Sequence, residues 1–244
     1  MKSFNCFLAA LLLCLTLCGC QTERRELPPE ITTVPEMKTA GGFSAVTNYV
    51  RAARDQSFAY TDKNENTIVC DYSIPALVPD SDDAKAINEE ILAAYGEYFS
   101  AAQIAVNNNR DPEPDGIRYN AYLNDDIVTI VIVTEAQGHN LSYRVYNYNK
   151  ATDKRLDNDG LLHYLQRDAE STYEELKNAL TEDYTAKYSA DNYPDDYYYQ
   201  LDLTTNDEAL RQSQFYLNAD AELYAVCTEY ISMGNGSYQV LIAA

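Results

Sequence analysis

The 244-residue chain has no tryptophan, only two histidines, and 18 Lys and Arg against 38 Asp and Glu. Each shortage excludes something. A hydrolytic metal centre needs several His, Cys or carboxylate ligands converging on an open water position. With His139 and His163 alone, neither a metal nor a cofactor is expected. The shortage of base argues against nucleic acid, whose phosphates demand a basic surface, and against a polybasic membrane-binding face. No Gly-x-Ser-x-Gly elbow and no phosphate-cradling glycine loop occurs. What is abundant is negative charge, formally −20, and tyrosine, 22 residues of it. Tyrosines of this number are expected to sit half-buried, with the ring packed and the hydroxyl wet. The charge keeps such a chain soluble, and it also raises the on-rate for positive partners.

Long apolar runs are confined to the first twenty residues. Met1-Lys2 is a positive start, Phe7 to Leu17 is apolar, and Leu17-Cys18-Gly19-Cys20 is followed by Gln21-Thr22-Glu23-Arg24-Arg25. This is the plan of a secretory signal, and the run is too short to span about 30 Å of hydrocarbon. The Leu-x-Gly-Cys ending resembles a bacterial lipobox. That resemblance implies cleavage before Cys20 and acylation of its thiol and new N-terminus, palmitate among the chains. Two or three acyl chains anchor stably where one does not. The expected location is the cell membrane, lipid-anchored and facing outside. In a cell with an outer membrane, the resemblance to known lipoproteins implies outer-membrane sorting, since Gln21 rather than Asp follows the cysteine. Residues 1–20 are thus read as signal peptide. Residues 21–42, with Pro28-Pro29, Pro35 and Gly41-Gly42, read as a flexible tether, and 43–244 as the domain.

Within 43–244 the expected class is α+β, a mostly antiparallel sheet (a meander plus a closing hairpin) with helices packed against it. Residues 45–53 and 56–61 read as a hairpin, 62–66 as a turn and 67–77 as a strand. Ser81 reads as the N-cap of a helix to about Val106, with Asp82 and Asp83 at its positive end and Ile87, Ile91, Tyr95, Tyr98 and Ala102 on one face. A meander follows: 117–123, a turn at Asn124-Asp125, 126–135 and 141–149. Ile127 to Val133 is apolar on both faces and should be the central, covered strand. Residues 153–160 read as a polar connection. Helices are expected over 161–166 and 169–188, the second with a capping box at Ser171 and Glu174 and a stripe of Tyr173, Leu176, Leu180, Tyr184 and Tyr188. Strands 214–218, 223–230 and 238–243 close the chain. Cys70 and Cys227 share strand faces with apolar residues and read as small core residues. A bridge between them is open outside the membrane.

Two places carry candidate binding residues. His139 sits in the loop Ala136-Gln137-Gly138-His139-Asn140, and loops are where function concentrates; His163, beside Leu162 and Tyr164, reads as structural. Tyr193-Pro194-Asp195-Asp196-Tyr197-Tyr198-Tyr199 joins large, rigid, polar-tipped side chains to carboxylates. Tyr193, Asp195, Asp196 and Tyr197 therefore suit a cationic protein partner, unless the tyrosines pack on the sheet instead. Asp157-Asn158-Asp159-Gly160 is similar to a calcium loop. However, aligning its glycine puts Arg155 and Gln166 where acidic ligands are needed, so a standard EF-hand is rejected. Carboxylate pairs suited to glycoside hydrolysis arise by chance in so acidic a chain.

The order of motifs over residues 66–244 resembles the extracellular domain shared by RsiV-type anti-sigma factors and PdaC-type peptidoglycan deacetylases. The resemblance is carried by Tyr72-Ser73-Ile74-Pro75 followed by Ala86-Ile87-Asn88-Glu89-Glu90-Ile91. It continues in Tyr122-Leu123-Asn124-Asp125-Asp126-Ile127-Val128-Thr129, in Gly138-His139 before Tyr146-Asn147-Tyr148-Asn149, and in Gln214-Phe215-Tyr216-Leu217-Asn218-Ala219-Asp220. It implies a module rather than a chemistry. In RsiV-type proteins the domain binds lysozyme, a strongly basic enzyme. In PdaC-type proteins it precedes a separate catalytic domain, whose metal signature is not found here. Neither sigma-factor sequestration nor deacetylation is therefore expected. The expectation is a non-enzymatic binding or sensor module with a cationic protein such as lysozyme, or cell-wall peptidoglycan, as ligand. The alternative is a cell-envelope hydrolase or cell-wall-modifying enzyme with an acidic site.

Overall fold

Asp62 turns the chain into its first strand pair: its Oδ1 accepts the backbone N–H groups of Asn64 and Asn66, both at 2.8 Å. These bonds, chiefly the backbone one from Asn66, hold its carboxyl below the ordinary value. The computed structural model describes residues 46–62, 64–136, 140–192, 196–231 and 236–244. Strand β1 (Val50–Thr61) pairs antiparallel with β2 (Thr67–Leu77) through this turn. The hairpin expected within 45–61 is instead one strand. Its pattern is broken by a bulge, because the register slips between Ala52 and Arg54. Pro75, which has no N–H to give, lies opposite Ala52 beside the slip.

Helix α1 (Asp82–Asn107) begins where Ser81 Oγ accepts the N–H of Ala84 at 3.2 Å. Ala84, Ile87, Ile91, Tyr95, Phe99 and Ala102 are buried. Tyr98, expected in this stripe, is 38% exposed. Phe99 enters the core in its place, edge-on to Tyr72 at 5.7 Å, since its ring has no hydroxyl to keep wet. The meander follows as β3 (Gly116–Asn124), β4 (Ile127–Ala136) and β5 (Asn140–Asn149). Asn124 pairs with Ile127, so the turn falls one residue later than expected, on Asp125-Asp126. Asp125 takes φ 49°, a left-handed conformation that Asp tolerates.

A short β6 (Lys154–Leu156), read from sequence as connection, pairs with β5 and completes a six-stranded sheet in the order β1-β2-β3-β4-β5-β6. Among the described strands only the β2–β3 contact, Tyr72 with Ile117, is parallel. Asp83 holds β6, its Oδ2 accepting the N–H of Arg155 at 2.9 Å.

Helix α2 (Asn158–Tyr164) starts three residues earlier than expected because Asp157 caps it, accepting from Gly160 N at 2.8 Å. Helix α3 (Ala169–Lys187) is capped by Asp168, which accepts from Ser171 N at 2.8 Å. The capping box at Ser171 and Glu174 is therefore displaced by a carboxylate three residues upstream, where the charge also meets the helix dipole. Leu176, Leu180, Tyr184 and Tyr188 are buried as expected, whereas Thr172 is buried and Tyr173 only half-buried. Helices α4 (Tyr197–Thr205) and α5 (Asp207–Gln212) occupy a stretch for which no element is expected from the sequence. Strands β7 (Gln214–Leu217), β8 (Leu223–Tyr230) and β9 (Ser237–Ala243) form a second, antiparallel sheet. The fold is α+β.

Alternation along β4 explains the layering. Val128, Ile130 and Ile132 face α1 in one core. Val131 faces Tyr216 and Val226 of the second sheet. The other face of that sheet, with Ala225, Cys227 and Ile242, packs on Leu176 and Leu180 of α3. Cys70 lies in the first core and Cys227 in the last, and both are free thiols. Burial pushes each up to about 11. The bridge left open by the sequence is thus not formed.

Candidate functional site

Helix α4 presents two faces of opposite character. Tyr197, Gln200, Thr204 and Thr205 point inward. Thr204 Oγ1 accepts the N–H of Tyr230 at 3.0 Å, tying the helix to β8. Tyr198 and Tyr199 point outward, 70% and 63% exposed. Asp202 is also exposed and follows them by four and three residues, so all three lie on one side of the helix. No basic side chain among the described residues pairs with Asp202 or with exposed Asp196.

The residues expected to bind are distributed unevenly around this face. Asp196 is the exposed residue from which α4 starts, with no side-chain capping bond. Tyr197 is not on the surface. Its ring packs against Tyr184 at 5.6 Å and stands edge-on to Tyr198 at 5.1 Å, in a cluster completed by Tyr188. The helix turns Tyr197 inward and Tyr198 and Tyr199 outward, and no run of identical residues can announce that choice. Cys20, His139, Tyr193 and Asp195 lie outside the described residues. His163 is exposed in the last turn of α2.

Behind α4 lies a buried polar cluster between α3 and the second sheet. Glu229 is fully buried. Lys187 Nζ donates to its Oε2 at 3.0 Å and to Asp183 Oδ2 at 2.5 Å, Tyr238 Oη donates to its Oε1, and the Tyr188 and Tyr238 hydroxyls meet at 3.3 Å. Burial raises the Glu229 carboxyl above its ordinary value, against the opposing pull of Tyr238 and Lys187. Among the described residues no buried side-chain polar atom of the cluster lacks a partner, so it serves as a brace.

A second charged group joins α1 to the first sheet. Glu90 accepts from Arg144 and from Arg155, the latter at 2.6 Å. Burial would raise its carboxyl, yet the two arginines together hold it below the ordinary value. Arg155 and Arg144 both lie over the ring of Tyr146.

Beyond Arg155 a groove of about 380 Å³ opens between β6, α2 and β7, lined among others by Asp157, Asp159, Tyr173, Arg211 and Phe215. A second, more enclosed hollow of about 240 Å³ shares Tyr173 and Arg211 with it. Asn158 sets its floor: Oδ1 accepts the N–H of Phe215 at 3.0 Å and Nδ2 donates to Ser213 O at 2.7 Å. Among the described residues no group of three or more His, Cys, Asp or Glu could hold a metal ion, and no helix is long and apolar enough to cross a membrane.

No family model and no curated protein matches the chain. A crystal structure of a member of the DUF3298 family from Bacteroides fragilis is similar to it over 80% of this chain and 93% of that one. The two are 11% identical, and the TM-score is 0.37.

Proposed function

We propose that this chain is a lipid-anchored module on the outer face of a bacterial membrane, and that it captures a cationic protein, lysozyme being the type case, on the outward face of α4. One observation carries the reading: Tyr198 and Tyr199 stand in solvent beside a carboxylate that no basic side chain of the described residues neutralises. Tyrosine gives rigid contact area at low entropic cost, and it concentrates at protein-binding surfaces. Unpaired carboxylates around such anchors select partners of positive charge and speed their encounter. The reading is one of binding, without chemistry performed on the partner.

The test is calorimetric titration of the full chain in detergent with lysozyme at low and at high salt. Binding weaker at high salt is expected, since exposed charges are screened within about 10 Å at 0.1 M. Replacing Tyr198 and Tyr199 together by Ala, or Asp202 by Lys, should weaken binding by about tenfold or more. Absence of binding, or binding that ignores all three substitutions, would overturn the proposal. Release of soluble fragments from cell-wall material by the purified chain would instead favour an envelope hydrolase.

A further inference from the structure

The groove between β6, α2 and β7 carries an arrangement that capture of a protein on α4 leaves unexplained. Four charged side chains line it, Arg155, Asp157, Asp159 and Arg211, and they do not pair with one another. Arg155 gives one guanidinium nitrogen, Nη1, to Glu90 at 2.6 Å, and its other guanidinium N–H groups have no hydrogen-bond partner among the described residues. Arg211 lies 5.6 Å over the ring of Tyr173 and forms no hydrogen bond or ion pair with the described residues, in a chain where acids outnumber bases two to one. Asp159 likewise has no partner among them, and Asp157 uses one oxygen on Gly160 N and leaves the other open. Donors and acceptors thus share one concavity, each with bonding capacity to spare.

The support beneath them is rigid. Asp157 and Asp159 flank Asn158, whose amide is held at one end to Ser213 and at the other to Phe215 of β7, and Tyr173 packs on Phe215 at 5.4 Å. Open polar groups on a pinned backbone are what a site made ready in advance requires. The volume falls within the range of small-molecule sites, about 300–1,000 Å³.

The charge pattern selects the ligand class. An anion would suit the two arginines but would face Asp157 and Asp159. A cation would suit the carboxylates but would face the guanidinium groups, and the carboxylates do not converge as a metal cluster among the described residues. An uncharged ligand rich in hydroxyls donates and accepts together, and satisfies both sets. We propose that this groove is a saccharide site, in which sugar hydroxyls accept from Arg155 and Arg211 and donate to Asp157 and Asp159. The site is separate from the α4 face and does not depend on the reading given to it.

The experiment is calorimetric titration of the full chain in detergent with tri-N-acetylchitotriose and with maltotriose, and with inorganic phosphate and calcium chloride as the anion and cation arms. At least one saccharide should bind with a Kd of about 1 mM or tighter. Asp159→Ala and Arg211→Ala should each weaken it about tenfold or more, while Glu97→Ala on the exposed side of α1 leaves it unchanged. Thermal melting checks that the variants fold, and Arg211→Lys replaces Arg211→Ala should the latter fail. Silence of both saccharides at about 10 mM, saccharide binding untouched by the groove variants, or groove-dependent binding of phosphate or calcium alone would each overturn the assignment.

Discussion

Gln214 Oε1 accepts the backbone N–H of Val145 at 2.8 Å, so a side chain of the second sheet closes the edge of the first. Gln239 Oε1 treats Tyr143 in the same way. Strand β6 pairs with β5 only at residues 147–149, which leaves the N–H groups of Tyr143 and Val145 without a strand to receive them. Open edges of this kind template aggregation unless they are covered. Here two glutamines stand in for a missing strand and bind the two sheets to each other.

Gln214→Leu and Gln239→Leu should therefore each cost about 1–3 kcal/mol, the penalty for leaving a covered N–H without an acceptor. Urea denaturation monitored by circular dichroism reads this directly. A loss no larger than that of an exposed surface substitution, within about 0.5 kcal/mol, would show that water replaces the amide oxygen.

Neighbouring tyrosines of α4 should behave in opposite ways. Tyr197 is buried against Tyr184, and Tyr197→Ala should destabilise the fold by about 3 kcal/mol or more. Tyr198→Ala and Tyr199→Ala should change stability by about 0.5 kcal/mol or less while weakening capture of the cationic partner. Paired denaturation and binding curves on the three variants separate packing from recognition.

Two carboxylates should make opposite contributions to the pH dependence of stability. Glu229 is raised, so its contribution is full below the ordinary glutamate pKa of about 4.3 and is lost as pH rises through its higher folded value. The stability of the native chain relative to Glu229→Gln should therefore fall between about pH 4 and pH 7. Glu90 is lowered, so its contribution is present above the ordinary value and is lost as pH falls through the folded one. The deficit of Glu90→Gln should thus be largest near neutrality and fade in acid. Denaturant titrations at both pH values check the two signs.

Cys70 and Cys227 should resist alkylation in the native chain at about pH 8, because burial holds both thiols far from ionisation and only thiolate reacts. Both should label fully in guanidinium, and peptide mass mapping identifies the sites. Labelling of either under native conditions would reveal an opening of its core.

The amino-acid sequence alone was enough for whatever depends on local chemistry or on the polarity of a single segment. Ile127 to Val133 could only be a strand covered on both faces, Ser81 before two aspartates could only begin a helix well, and Cys70 and Cys227 were legible as core residues from their strand neighbours. The α+β class followed from these elements and their order. What the tertiary structure alone decided was every choice that depends on a partner distant in sequence. Strand β1 is continuous because β2 tolerates a bulge beside Pro75. Tyr98 yields to Phe99 because the waiting pocket holds Tyr72. Strand β6 exists because Asp83 reaches it from α1. Among the three successive tyrosines of α4, identical in chemistry, Tyr197 goes inward and its neighbours outward because Tyr184 and Tyr188 offer a cluster on one side only. The groove was illegible for the same reason: Arg211 and Asp159 are more than fifty residues apart, and only the seating of Asn158 on β7 makes them neighbours.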